Sequence, residues 1–201
     1  MTFAVVVEGL EDLKRFGELK PQIERAALQA INKTARDARA SAAKRIAEQV
    51  NFSATYLGPN TGRLFVAEQA TRGKLEARIR ARGRPTSLAR FLTSESRGSG
   101  VTLQVKPGKA TRIKRAFTVR LRAGSADIET KSNRGLAIRL RPGERLSNKI
   151  KQVQLSRGLV LLYGPSVQQV FLDNQDKGVA KDITPEVFDR MEQEFFRLLK
   201  L

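Results

Sequence analysis

Thirty residues, PQIERAALQAINKTARDARASAAKRIAEQV from Pro21 to Val50, contain no glycine and no proline after the first position. Alanine dominates the segment. Proline suits a first helical turn, because the N–H it lacks would have no intrahelical acceptor there. One long helix is the expectation. Ile23, Ala27, Ala30, Ile31, Thr34, Ala38, Ala42, Ile46 and Val50 fall on one stripe at helical spacing. Most of these side chains are small. Leucine would fill space at such a stripe, whereas alanine lets a sheet or a second helix come close.

The rest of the chain has to supply that covering surface, and its hydrophobic period is different. FAVVVEG reads as a short strand, and Gly9 leads into LEDLKRFGELK, a short helix or turn. NFSATYLGPNTGR is a loop, broken by Gly58-Pro59-Asn60 and Gly62. Beyond it, apolar residues alternate with polar ones. Leu75, Ala77, Ile79 and Ala81 alternate with Glu76, Arg78, Arg80 and Arg82, although the same segment also suits a helix. Val101, Leu103 and Val105 oppose Thr102, Gln104 and Lys106. Ile113, Phe117, Val119 and Leu121 oppose Lys114, Thr118, Arg120 and Arg122, and Leu136, Ile138 and Leu140 oppose Arg139 and Arg141. Turn sequences separate the runs at 83–85, 107–109, 123–125 and 142–144. SESRGSG at 94–100 resembles a linker or a mobile tip between strands. GLVLLY adds one more strand. Thr184-Pro185-Glu186 then predicts a helix start, with Val187, Met191, Phe195, Leu198 and Leu199 on its apolar side and Phe188 adjoining. The fold class expected is α+β: an antiparallel sheet packed against the alanine-rich helix and the C-terminal helix. A single domain over 1–201 is expected, in three portions: 1–71, a basic β-rich module at 72–157, and 158–201.

Charge is distributed unevenly over those portions. The formal net charge is +18. Arg72 to Arg157 contains 23 Lys and Arg against 5 Asp and Glu, and the remainder of the chain carries 15 of each. A solvated face normally mixes both signs, and a one-sign face repels itself. Arg78, Arg80, Arg82, Arg84, Arg120, Arg122, Arg139 and Arg141 are therefore candidates to face DNA or an acidic partner. The bland alternative is an exposed sheet face kept soluble by arginine. Aromatic residues are scarce in these rows, so any nucleic-acid contact would be made to the backbone, independent of sequence and steeply salt-dependent.

The composition narrows the chemistry further. Neither cysteine nor histidine occurs. That removes disulfides, thiolate nucleophiles, the usual zinc sites and histidine acid–base catalysis. No apolar run approaches the roughly 20 residues of a membrane helix, and the opening residues fit neither a secretory signal nor an anchor. Asp127, Glu129 and Lys131 in ADIETK resemble the carboxylates and amine of a metal-dependent nuclease, with Glu95 as the nearest upstream acid. Their place between an AGS turn and Ser-Asn makes a solvated turn the better reading. LLYGPSVQQVF places a glycine and a serine after a strand, as phosphate loops do. It has one glycine, no lysine, and a proline that removes a donor, so a structural bend is the better reading. No catalytic, cofactor or metal site is expected, and no cofactor.

Read in order, GLEDLKRF with the alanine-rich helix, LEARIRARGRPTSLARF, RIKRAFTVRLR with GLAIRLRPGE, and LYGPSVQQVF with RMEQEFFRLL resemble the bacteriophage minor tail protein Z family of tail completion proteins. The resemblance spans most of the chain and rests on the order of the parts. It implies a non-enzymatic virion protein, assembled in the host cytoplasm as a homo-oligomeric ring, hexameric or dodecameric. Such a ring completes the tail or joins the tail tube to the portal and neck around the DNA channel, touching packaged DNA non-specifically. Ala27, Ala30, Ala38, Ala42, Met191 and Phe195 are then the candidate subunit interface. The alternative is a sequence-independent nucleic-acid-binding protein.

Overall fold

The computed structural model describes residues 3–6, 21–96, 98–121, 134–147, 151–156, 158–173 and 178–199. It is an α+β fold with three antiparallel sheets among the described residues, where the sequence suggested one. The backbone divides into two compact units. One comprises Met1–Ile46, Ser53–Arg82 and Gln168–Leu201, and the other Ala47–Phe52 and Gly83–Val167.

The first unit is built on helix α1 (Pro21–Gln49). Its sheet has the order β1-β3-β2, from strands β1 (Phe3–Val6), β2 (Leu64–Glu68) and β3 (Glu76–Ala81). The expected strand at 75–82 is therefore present, in strand and not in helical form. Ile31 and Ala35 of α1 pack with Ala70, Ala77 and Met191, and Leu28, Val66 and Leu75 seal the edge of this cluster. Small side chains at Ala35 and Ala77, both wholly buried, let helix and sheet meet closely. Full burial of a side chain such as Ile31 is worth about 1.5–3 kcal/mol. Asn32 pins the connection after β2: its amide donates to the Ala70 carbonyl at 3.0 Å and its carbonyl accepts from the Ala70 N–H at 2.8 Å. Arg39 Nε donates to the Leu64 carbonyl at 3.0 Å.

The last long helix of this unit corrects its expected start. Its residues are Val179–Leu199, with Pro185 inside. Val179, Ala180 and Ile183 are buried, so packing extends the helix backwards past the proline. Thr184 Oγ1 does not cap it; the hydroxyl donates back to the Ala180 carbonyl at 2.8 Å. Pro185 has no N–H to give to the preceding turn of the helix, and Lys181, four residues before it, is exposed to water. We label this helix α3 and the short helix Val167–Phe171 α2. Lys33–Glu194 at 3.5 Å and Arg45–Glu186 at 3.2 Å link α1 to α3.

The second unit holds the other two sheets. One has the order β10-β11-β9-β8, from β8 (Ala116–Arg120), β9 (Arg134–Arg139), β10 (Lys151–Ser156) and β11 (Leu159–Gly164), with β4 (Thr86–Ser87) also on β11. The other has the order β5-β6-β7, from β5 (Leu92–Ser96), β6 (Gly100–Lys106) and β7 (Lys109–Ile113). The run expected as one strand from Ile113 to Arg122 is thus two, split at Lys114–Arg115, where Arg115 adopts φ 64°. The first half of SESRGSG belongs to β5, and the β5–β6 turn follows at Gly98-Ser99. That turn depends on Gly100, whose φ is +100° and whose added Cβ would lie 2.3 Å from the Ile113 carbonyl oxygen.

The larger sheet also departs from simple alternation. All four central residues of β9, Gly135 to Ile138, are buried, so both faces of the sheet are covered there. On one face Leu121, Ala137 and Leu161 form a cluster with Phe117, Val119, Leu159 and Tyr163. On the other, Ala116, Ile138 and Val160 are in register across three strands. Gly164 ends β11 opposite Thr86. Its lack of a side chain makes room for Leu88 and Phe91, since a Cβ would lie 2.9 Å from Leu88 Cδ2 and 3.4 Å from Phe91 Cε2. The glycine of the GPS turn is thus a packing requirement.

Candidate polyanion-binding surface

The arginines singled out by sequence fall into two electrostatic classes. In the first unit, the face of β3 away from α1 carries Glu76, Arg78 and Arg80. Glu68 of β2 stands beside Arg78 in register. Arg78 Nε donates to Glu76, and its Nη1 lies 3.6 Å from Glu68 Oε1. Arg80 Nη2 lies 3.4 Å from the same oxygen, and Lys74 Nζ is 2.9 Å from Glu68 Oε2. The Lys74 hydrogen bond, together with the charges of Arg78 and Arg80, holds the Glu68 carboxyl below the usual carboxylate range. Pairing with Glu76 correspondingly raises Arg78. Arg78 and Arg80 therefore have acidic partners, contrary to the sequence expectation of rows almost free of acids. Arg82 is half-buried at the end of the sheet, where its N–H donates to the Arg63 carbonyl at 2.8 Å.

The second unit is different. Arg120 and Arg134 occupy directly opposed positions on β8 and β9, and both are exposed. Like charges placed opposite one another across two strands are destabilising. Nearby, both carboxylate oxygens of Glu95 accept from Thr118: its N–H at 2.9 Å and its hydroxyl at 2.9 and 3.2 Å. The Thr118 backbone N–H is the main cause of the lowered Glu95 pKa, and the charge of Arg134 adds to it. Arg120 has no acidic partner among the described residues. Arg139, five positions beyond Arg134, emerges on the opposite face of the sheet, in register with Leu159. It too is exposed, as is Arg84. Arg141 is exposed in the following turn, where its backbone N–H donates to Glu144 Oε2 at 2.8 Å. Glu144 also takes a two-nitrogen contact from Arg115, which is the chief reason its carboxyl is pushed down to about 2. Arg122 lies outside the described residues.

Sequence reasoning passed over a second group of cations. The β6–β7 hairpin exposes Lys106, Lys109, Arg112 and Lys114. Arg112 Nη2 donates to the Ser99 carbonyl at 3.2 Å and to its hydroxyl at 2.8 Å. The signal was available: Lys106 and Lys109 face each other across a Pro-Gly turn.

The proposed subunit interface requires correction. Ala27, Ala30, Ala38, Ala42 and Met191 are buried within the protomer, the four alanines at 2% exposure or less. A side chain already covered by its own chain cannot meet a neighbour. Phe195 is half-buried; Phe188 and Phe196 are the exposed aromatics of α3. Glu95, offered as a metal-holding acid, is committed to Thr118. Asp127, Glu129 and Lys131 lie outside the described residues. Among the described residues, no group of three or more Asp and Glu is placed to hold a metal ion, and no helix is long and apolar enough to cross a membrane. No family model, curated protein or solved structure matches the chain.

Proposed function

We propose that the chain is a structural protein of a bacteriophage particle, similar to the minor tail protein Z family. It assembles as a ring that completes the tail, or joins the tail tube to the head and neck, around the channel through which DNA passes. The observation that carries this reading is the opposed pair Arg120 and Arg134, exposed in the basic unit at a cost to the fold that a polyanion would offset. The order of parts along the sequence supports it. With the alanine stripe consumed by the protomer's own core, ring contacts fall to exposed positions such as Phe188 and Phe196. Electron microscopy of the purified chain, alone and with tail tube or portal proteins, tests the ring. Annular particles are expected. A chain that remains monomeric under every one of these conditions overturns the reading.

The second reading is a sequence-independent nucleic-acid-binding protein, favoured by the same arginine pair. It predicts tight, stoichiometric binding to duplex DNA by the isolated protomer. The ring reading predicts weak binding that strengthens on assembly.

A further inference from the structure

The three-stranded β5-β6-β7 sheet and the β10-β11-β9-β8 sheet treat their free edges differently. On β7, Lys109 and Arg112 are exposed, with Lys106 and Lys114 beside them. Charged side chains on an edge discourage another strand from pairing with it. On β8, the N–H of Thr118 is capped by the Glu95 carboxylate. β10 is less protected: Lys151 opens it and a bulge lies between Gln154 and Ser156, but residues 152–156 (QVQLS) are uncharged, and among the described residues it ends its sheet. Val153 and Leu155 are 51% and 49% exposed, the most exposed large aliphatic side chains among the described residues. Every second N–H and C=O of an edge strand points away from its partner, which among the described residues is β11. Val153 stands in register with Leu161, so its side chain extends the face that holds Leu159, Leu161 and Tyr163. Cations border that face. Arg139 shares it, beside Leu159, and Arg141 and Arg145 are exposed in the turn that follows. Among the described residues the acid of that turn, Glu144, is engaged by Arg115 and by the Arg141 N–H.

We propose that β10 is a strand-addition edge for an extended, acidic segment of a partner protein. The added strand completes the backbone ladder, lays apolar side chains on Val153 and Leu155, and sets its carboxylates against Arg139, Arg141 and Arg145. A second copy of the same chain fits less well, because the basic borders would meet each other. This inference does not depend on the ring reading.

The test uses the full chain and a short synthetic peptide alternating glutamate and valine. Hydrogen exchange is followed at residues 151–156. Protection of these amides by the peptide, with no protection by the same peptide carrying a central proline, is the expected result. Val153→Gln with Leu155→Gln should weaken peptide binding by about tenfold, through loss of two apolar cross-strand pairs without a change of charge. Both positions are exposed, and an unchanged circular dichroism spectrum excludes misfolding. An absence of protection at saturating peptide overturns the proposal. So does equal binding of the proline peptide, or of a lysine–valine peptide. Protection of β10 in the protein alone, with self-association in sedimentation, assigns the edge to a second copy and overturns the acidic partner. Protection by duplex DNA and not by the peptide overturns it in favour of nucleic acid.

Discussion

Arg120→Gln separates a surface built for a polyanion from one merely kept soluble. Arg120 and Arg134 are opposed across β8 and β9, and Arg120 has no acidic partner among the described residues. Removing one member of a like-charged cross-strand pair should therefore stabilise the free protein, by about 0.2–1 kcal/mol. The same change should weaken polyanion binding. Each cation that neutralises a phosphate contributes about 0.9 to the slope of log K against log salt, so the slope should become shallower by ~0.9 for this single variant. Arg78→Gln with Arg80→Gln is the control. Their charges are already met by Glu68 and Glu76, and their loss should leave the slope nearly unchanged. Urea denaturation gives the first quantity, and fluorescence anisotropy on labelled duplex DNA over a salt series gives the second. The reasoning fails if Arg120→Gln destabilises the protein, or if the control pair flattens the slope as much as Arg120→Gln does.

Gly100→Ala should destabilise by about 2–5 kcal/mol, since a left-handed φ costs about 1–2 and the forced approach to the β7 backbone adds about 1–3. Gly108→Ala shares a positive φ but meets nothing within 4 Å, so its loss in urea should be the conformational part alone; equal losses would show that the contact with Ile113 does not matter. Glu144 has a depressed pKa, so its stabilisation is complete above the ordinary glutamate pKa of about 4.3 and is lost as pH falls towards about 2. Melting temperatures should therefore converge for wild type and Glu144→Gln as pH drops through that window, and a constant gap would refute the Arg115 pairing. Ala35→Leu should overpack the helix–sheet contact and cost about 1–3 kcal/mol, against near neutrality if that stripe faced a loose cavity.

Much of this fold was legible because its signals are local. Pro21 and the unbroken alanine-rich run set α1 almost to the residue. Alternation found β3 and β6, and the unbroken apolar run GLVLLY found β11. What escaped was decided by distant contacts. β2, LFVAE, is five residues long and does not alternate, β10, KQVQLS, has only two apolar residues, and pairing makes both of them strands. Arg115 lies inside the run read as one strand, but the chain turns there at positive φ and its guanidinium meets Glu144. At the candidate surface, sequence separation misled in both directions. Glu68 lies twelve residues before Arg80 yet neutralises it, whereas Arg120 and Arg134 are opposed across two strands, with Glu95 close enough to feel Arg134 but bonded to Thr118. Burial reversed the role given to the alanines, because a small side chain marks close approach without saying whose surface approaches.

Pro185 leaves α3 with two beginnings. The helix starts at Val179, but the cap, proline and acid at Thr184-Pro185-Glu186 remain a complete second start written inside it. While residues 179–183 stay wound, Thr184 spends its hydroxyl on the Ala180 carbonyl. Should those turns peel away, that hydroxyl is released to cap the helix that remains, and the missing proline N–H no longer matters. Unwinding from this end therefore has a natural stopping place. Residues 186–199, which carry Phe188, Met191 and Phe196, keep their helix whether the leading turns are docked or not.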